Sequence, residues 1–191
     1  MMRHLGTSLR VTIVSVITFG LMYPLAMTGI AQALFPRQAN GSLVTVNGKV
    51  VGSAIVGQLW TKPQYFHGRP SAAGKGYDPT STGGTNLGPT SKRLIDATKA
   101  TIAELRKANP DAAGAPPMDL VTSSASGIDP DITPEAAYWE APRVAKARGM
   151  SLTAVNSLVA QHVQGRTFGF LGEPHVNVLE LNLALDGLKP Q

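Results

Sequence analysis

Three short stretches of the chain hold side chains that could do chemistry. The first is YFHGRPS at residues 65–71, where the imidazole of His67, the guanidinium of Arg69 and the hydroxyl of Ser71 fall within one loop. Such a set can bind an anion or a partner's carboxylate through charge-assisted hydrogen bonds. In the alternative reading His67 and Arg69 cap loop carbonyls and Phe66 packs in the core. The second stretch, GGTNLGP at residues 83–89, offers backbone N–H groups around Asn86 just ahead of a helix, a geometry that can cradle phosphate. It lacks the lysine of a phosphate loop, and a turn followed by helix capping accounts for it as well. The third, TSSASGIDPD at residues 122–131, sets hydroxyls beside Asp129 and Asp131. A serine nucleophile at Ser126, served by His67 and Asp129, or a cation site can be written from it, yet short polar residues in such turns more often satisfy the backbone. No Walker phosphate loop, HExxH, GxSxG or SxxK is present, and His4, His67, His162 and His175 lack metal-ligand spacing. The residues therefore predict neither a catalytic group nor a metal ligand.

The chain has 191 residues, enough for one domain and an anchor. Its formal charge is +5, and without Arg3 and Arg10 the excess is only three, with no basic run interleaved with aromatics. Nucleic-acid binding is excluded on that pattern. No cysteine occurs, which removes disulfides, thiolate metal sites and a catalytic thiol.

Residues 11–35 carry no charge and are rich in Val, Ile, Leu, Met and Phe. At about 1.5 Å per residue they can cross a hydrocarbon core of about 30 Å, with Pro24 expected to kink the helix. The rival is a signal peptide, for Arg3 and Arg10 precede the run and Ala31-Gln32-Ala33 resembles a cleavage site; cleavage after Ala33 would release a secreted binding domain. The run exceeds the ~7–15 residues of a signal's apolar region, so a retained anchor is predicted. The expected layout is a short cytoplasmic tail at 1–10, a transmembrane helix at 11–35 and an extracytoplasmic α/β domain at 36–191. Gly29 and Ala33 share one helix face, where small residues let another helix approach closely in lipid.

In the domain, residues 42–46 and 49–58 flank Asn47-Gly48, the pattern of a β-hairpin. A long Gly- and Pro-rich loop at 61–89 follows. Residues 91–109 have helical periodicity, 112–117 read as a linker, and 118–126 as a short strand. Thr133-Pro134-Glu135 opens a helix that Pro142 should interrupt and Gly149 end, and Ser151 caps another through residue 163. Residues 176–185 read as a strand with a bulge at Val178-Leu179.

The order and wording of several stretches resemble the C subunit of the Kdp potassium-transporting ATPase. They include GSL at 41–43, YFHGRPSA at 65–72, GGTNLGP at 83–89, DLVT at 119–122, SGIDP at 126–130, TPEAA at 133–137, RVAKARG at 143–149 and GFLGEPHVNVLELNLAL at 169–185. Nearly the whole chain is covered. Thr82 and Thr85 stand where that family often shows serine, Asp131 where histidine is usual, and His175 where arginine is common. The resemblance implies a bacterial inner-membrane complex that uses ATP, Mg2+ and K+. Its partners would be a channel-like potassium subunit, a P-type ATPase subunit and a small single-span subunit. This chain would be the non-catalytic accessory subunit and would bind no cofactor of its own. It would stabilise assembly or, alternatively, act as a catalytic chaperone that raises ATP affinity and so binds nucleotide. Candidate partner-binding residues are then Gly29, Ala33, His67, Arg69, Ser71, Asn86, Asp129 and Glu173.

Overall fold

A computed structural model describes residues 2–188 of the chain, so the side chains of Met2 and Arg3 and the last three residues lie outside it. The fold divides into two units at the Leu43–Val44 boundary.

The first unit is helical. α1 (Met2–Ser15) runs into a π-helical segment, Val16–Met22, and then α2 (Tyr23–Leu34). The widened turns immediately precede Pro24, which lacks an N–H and whose ring crowds the carbonyl four residues back at Gly20. Tyr23 accordingly donates its N–H to Thr18, five residues back. The stretch His4–Leu34 is thus one helix of 31 residues whose most apolar 18-residue window has mean hydropathy 1.8, long and apolar enough to cross a membrane. From Met2 onward the expected tail is itself helical. A short α3 (Pro36–Ala39) follows, fastened by Asn40, whose side-chain amide donates to Pro36 O at 2.7 Å and to Gln32 Oε1 at 3.1 Å.

The second unit is a mixed α/β domain. β1 (Leu43–Val46) and β2 (Lys49–Ser53) form the expected hairpin, with Asn47 and Gly48 both at positive φ. The second strand ends earlier than expected. α4 (Lys92–Ala108) is the predicted amphipathic helix. Residues 118–126 are not a strand: Pro117 starts a single helical turn, α5 (Met118–Val121), which Thr122 closes by donating both its N–H and its hydroxyl to Met118 O. α6 (Pro134–Arg148) has Thr133 as N-cap and Gly149 as left-handed C-cap, and Pro142 lies inside it without breaking it. α7 (Leu152–His162) starts at the Ser151 cap.

The C-terminal run corrects the sequence reading most. Only β5 (His175–Asn177) is strand, and α8 (Val178–Leu185) is helix, started by the Asn177 side chain accepting the Glu180 N–H. β5 is the centre of a small antiparallel sheet with β3 (Asp131–Ile132) and β4 (Val163–Gln164), neither of them foreseen. Val176 stands opposite both Ile132 and Val163. α8 joins two clusters: Val178 and Leu181 enter the main core with Phe66, Trp139, Val144, Val155 and Val159, while Leu179 and Leu183 close on Val44 and Val46 of the hairpin.

Candidate functional site

The long loop between β2 and α4 has little secondary structure, yet buried side chains from α6 and α8 hold it in place. Phe66 is fully buried, and Asn182 of α8 accepts its N–H and donates to its carbonyl, at 2.8 and 2.9 Å. This side chain pairs with the loop as a neighbouring strand would. One residue on, the His67 N–H donates to Glu140 Oε2 at 2.6 Å. Glu140 is fully buried and lies 2.7 Å from Arg143, which donates from its other nitrogen to the carbonyls of Pro63 and Tyr65. The guanidinium thus neutralises the buried carboxylate and ties two carbonyls of the loop to α6. Arg148 reaches Gln64 O, Leu185 O and Asp186, and lies over the Tyr65 ring at 4.9 Å.

His67 is placed by this network. Its Nε2 is 3.2 Å from Lys62 O and its Nδ1 is 3.9 Å from Glu140 Oε1. Burial lowers its pKa below the usual value, against the opposing pull of Glu140. A neutral ring with Nε2–H donating to Lys62 fits these contacts.

The three chemically suggestive stretches converge. Arg69 pairs with Asp129 at 3.3 Å. Ser71 donates its hydroxyl to Gly127 O and accepts the N–H groups of Ala73 and Tyr77. Gly83 N–H donates to Ser126 O, and Ser124 Oγ accepts Gly127 N–H. Gly127, at φ +71°, has no room for a side chain, since a Cβ would lie 2.7 Å from Ala73 Cβ and from Gly83 O. Beneath the junction Tyr77 donates to Arg69 O at 2.6 Å, and burial pushes its phenol up to about 12.

Of the predicted residues, His67, Arg69, Ser71 and Asp129 therefore lie in one connected loop assembly. Glu173 pairs with Arg166 at the surface, at 2.7 Å, and borders a small cavity of about 140 Å3 shared with Arg69, Asp129, Asp131 and His175. Two of the four departures from the resembled pattern meet there, with His175 Nε2 4.0 Å from Asp131 Oδ2. Burial raises the Asp131 pKa, and His175 and Asn177 oppose it. Asn86 does not join the assembly: it is exposed, at φ +52°. Gly29 and Ala33 belong to the helical unit, where a Cβ on Gly29 would meet nothing within 4 Å.

The hydrolase alternative finds no support in this geometry. Ser126 Oγ accepts Ile128 N–H, Asp129 accepts from Asp131 N–H and Arg69, and His67 faces Lys62 and Glu140, so no hydrogen bond links the three. Among the described residues no three His, Asp or Glu side chains converge on a metal position. The sequence reading passed over Glu140, Arg143, Tyr77 and Asn182. A visible signal was Glu140 and Arg143 at i, i+3 among Trp139, Ala141 and Val144, where a solvated pair would not be set.

The family of the K+-transporting ATPase c chain, KdpC, matches residues 5–187. The chain is 58% identical over 181 residues to the potassium-transporting ATPase KdpC subunit of Myxococcus xanthus, covering 94% of this chain and 86% of that one. With the subunit of the same name from Koribacter versatilis the identity is 52% over 191 residues, 100% of this chain and 97% of the other. With that of Acidobacterium capsulatum it is 55% over 185 residues, 97% and 98% respectively.

Proposed function

The chain belongs to the KdpC family, the c chain of K+-transporting ATPases, and from that premise we propose that it is a non-catalytic accessory subunit of an ATP-driven potassium-uptake complex. It holds together a channel-like potassium subunit, a P-type ATPase subunit and a small single-span subunit in the bacterial inner membrane. Residues 1–10 face the cytoplasm, 11–35 cross the bilayer and 36–191 lie outside. The observation that carries this reading is how the polar side chains around the long loop are used. Glu140, Arg143, Asn182, Ser71 and Tyr77 all bind the chain's own loop backbone, which makes a rigid, shaped surface rather than a reacting centre. A preorganised surface lowers the ordering cost of association. The nucleotide-binding alternative is weaker, because an outward domain does not meet cytoplasmic ATP and residues 83–89 supply no lysine to a phosphate.

Two measurements test the proposal. Affinity purification of the tagged chain from detergent-solubilised membranes should bring down the ATPase and channel-like subunits together. A reporter fused after Gln191, beyond the described residues, should be active only outside the cytoplasm. Purification of the chain alone would overturn the accessory role, and a reporter active in the cytoplasm would overturn the orientation and reopen the nucleotide role.

A further inference from the structure

α4 is the longest helix of the domain, and the rest of the domain covers it poorly. None of its 17 residues is buried, whereas α6, with 15, buries eight, from Ala136 to Ala145. Helices in proteins draw most of their stability from packing an apolar face, and the Leu94, Thr98, Thr101 stripe of α4 remains half-covered. A groove of about 400 Å3 borders that stripe, with Ser71 and Thr85 of the converging loops also in its lining. This lies within the ~300–1,000 Å3 typical of recognition pockets. Its charge is one-sided. Arg93 lines it, no Asp or Glu does, and Arg93 has no ion-pair partner among the described residues. Leu94 and Leu87 supply apolar floor, while the hydroxyls of Thr85, Thr98 and Thr101 offer hydrogen bonds to a passing main chain.

We propose that this groove seats an extended segment of another subunit of the same assembly, bearing a carboxylate that Arg93 binds and an apolar side chain that rests on Leu94. The proposal rests on the accessory-subunit reading. Charge selects the occupant: a guanidinium without an ion-pair partner in a carboxylate-free groove favours an acidic segment, whereas a lipid acyl chain would pair with neither Arg93 nor the threonine hydroxyls.

The test uses the full chain in the purified complex, with a photo-crosslinking phenylalanine analogue in place of Thr98 and, as control, of the exposed Ala103 outside the groove. Irradiation should join Thr98, and not Ala103, to an Asp- or Glu-containing peptide of a partner subunit. Arg93→Glu, at an exposed position, should lower that yield about three- to tenfold, while Arg93→Lys retains most of it. Amide exchange in α4 should also be slower in the complex than in the free detergent-solubilised chain. Crosslinks to lipid, to a second copy of this chain or to nothing, in a complex that still purifies intact, would overturn the groove assignment and leave the accessory role standing. A chain that purifies without the ATPase subunit would overturn both.

Discussion

Glu140 is the residue on which the loop geometry most depends, because it is fully buried, accepts the His67 N–H and faces Arg143 at 2.7 Å. Glu140→Gln keeps an acceptor for His67 but leaves the Arg143 charge uncompensated in the interior, so the expected loss is about 3–5 kcal/mol. Denaturation of the detergent-solubilised chain, followed by the fluorescence of Trp60 and Trp139, measures it; a loss below about 1 kcal/mol would mean that water reaches the pair. Two titrations carry opposite signs of pH dependence. The folded-state pKa of His67 lies below the usual 6.5, so stability is complete above pH 6.5 and falls as pH drops from there through the folded value. His67→Gln should flatten that acid slope. Tyr77 rises from 10.0 to about 12, so the folded state keeps its proton where the unfolded state has lost it. Stability should therefore decline from pH 10 towards 12, with Tyr77 contributing on the order of 2–3 kcal/mol, and Tyr77→Phe should remove that share.

At the level of elements, what repeats locally could be read from the sequence and what depends on distant partners could not. Asn47-Gly48, the Thr133 and Ser151 caps and the Gly149 stop are local signals, and each stands where it was expected. Pro142 was misjudged because the burial of α6 against the core outweighs one lost helical bond. Residues 176–185 misled for a different reason. Their alternation of Val and Leu with polar residues suits a strand, in which 179, 181 and 183 would share one face. In α8 Leu179 and Leu183 meet the hairpin while Leu181 meets the main core, so two cores on two sides of a helix produce an alternating pattern. β3 and β4, two residues each, are defined only by pairing with β5, which no local signal announces. The clamp from α8 gives a test at this scale. Asn182→Leu removes both partners of the Phe66 backbone inside the core and should cost about 2–5 kcal/mol. Gly127→Ala, strained in φ and blocked by Ala73 and Gly83, should cost a similar amount, about 2–4 kcal/mol. A Gly127→Ala variant as stable as the parent would show that the three-loop junction is softer than its contacts imply.

At the scale of the whole molecule the sequence located the candidate assembly better than it assigned roles. His67, Arg69, Ser71 and Asp129 do meet, but the pairings of Glu140 and Asn182 that hold the loop could not be read locally, because their partners are backbone groups 73 and 116 residues away. That changes how attachment must be probed. Arg69→Glu would set a second carboxylate beside Asp129 inside the domain, so a weakened complex could reflect misfolding rather than a lost contact. The membrane helix offers a cleaner experiment. No residue of the spanning stretch is buried, and a Cβ on Gly29 would meet nothing within 4 Å, so this helix face has room for larger side chains. Mutual hydrophobicity contributes little between helices in lipid, where close backbone approach at small residues drives association. Replacing Gly29 and Ala33 together by Leu should therefore leave insertion, the reporter signal and unfolding of the α/β domain unchanged while lowering the yield of intact complex and its potassium-stimulated ATPase activity several-fold. Yield and activity equal to the parent's would clear this helix face of any part in assembly and leave the α/β domain as the attachment. A fall in yield accompanied by lost insertion would instead show that the two small residues serve the helix's passage into the bilayer.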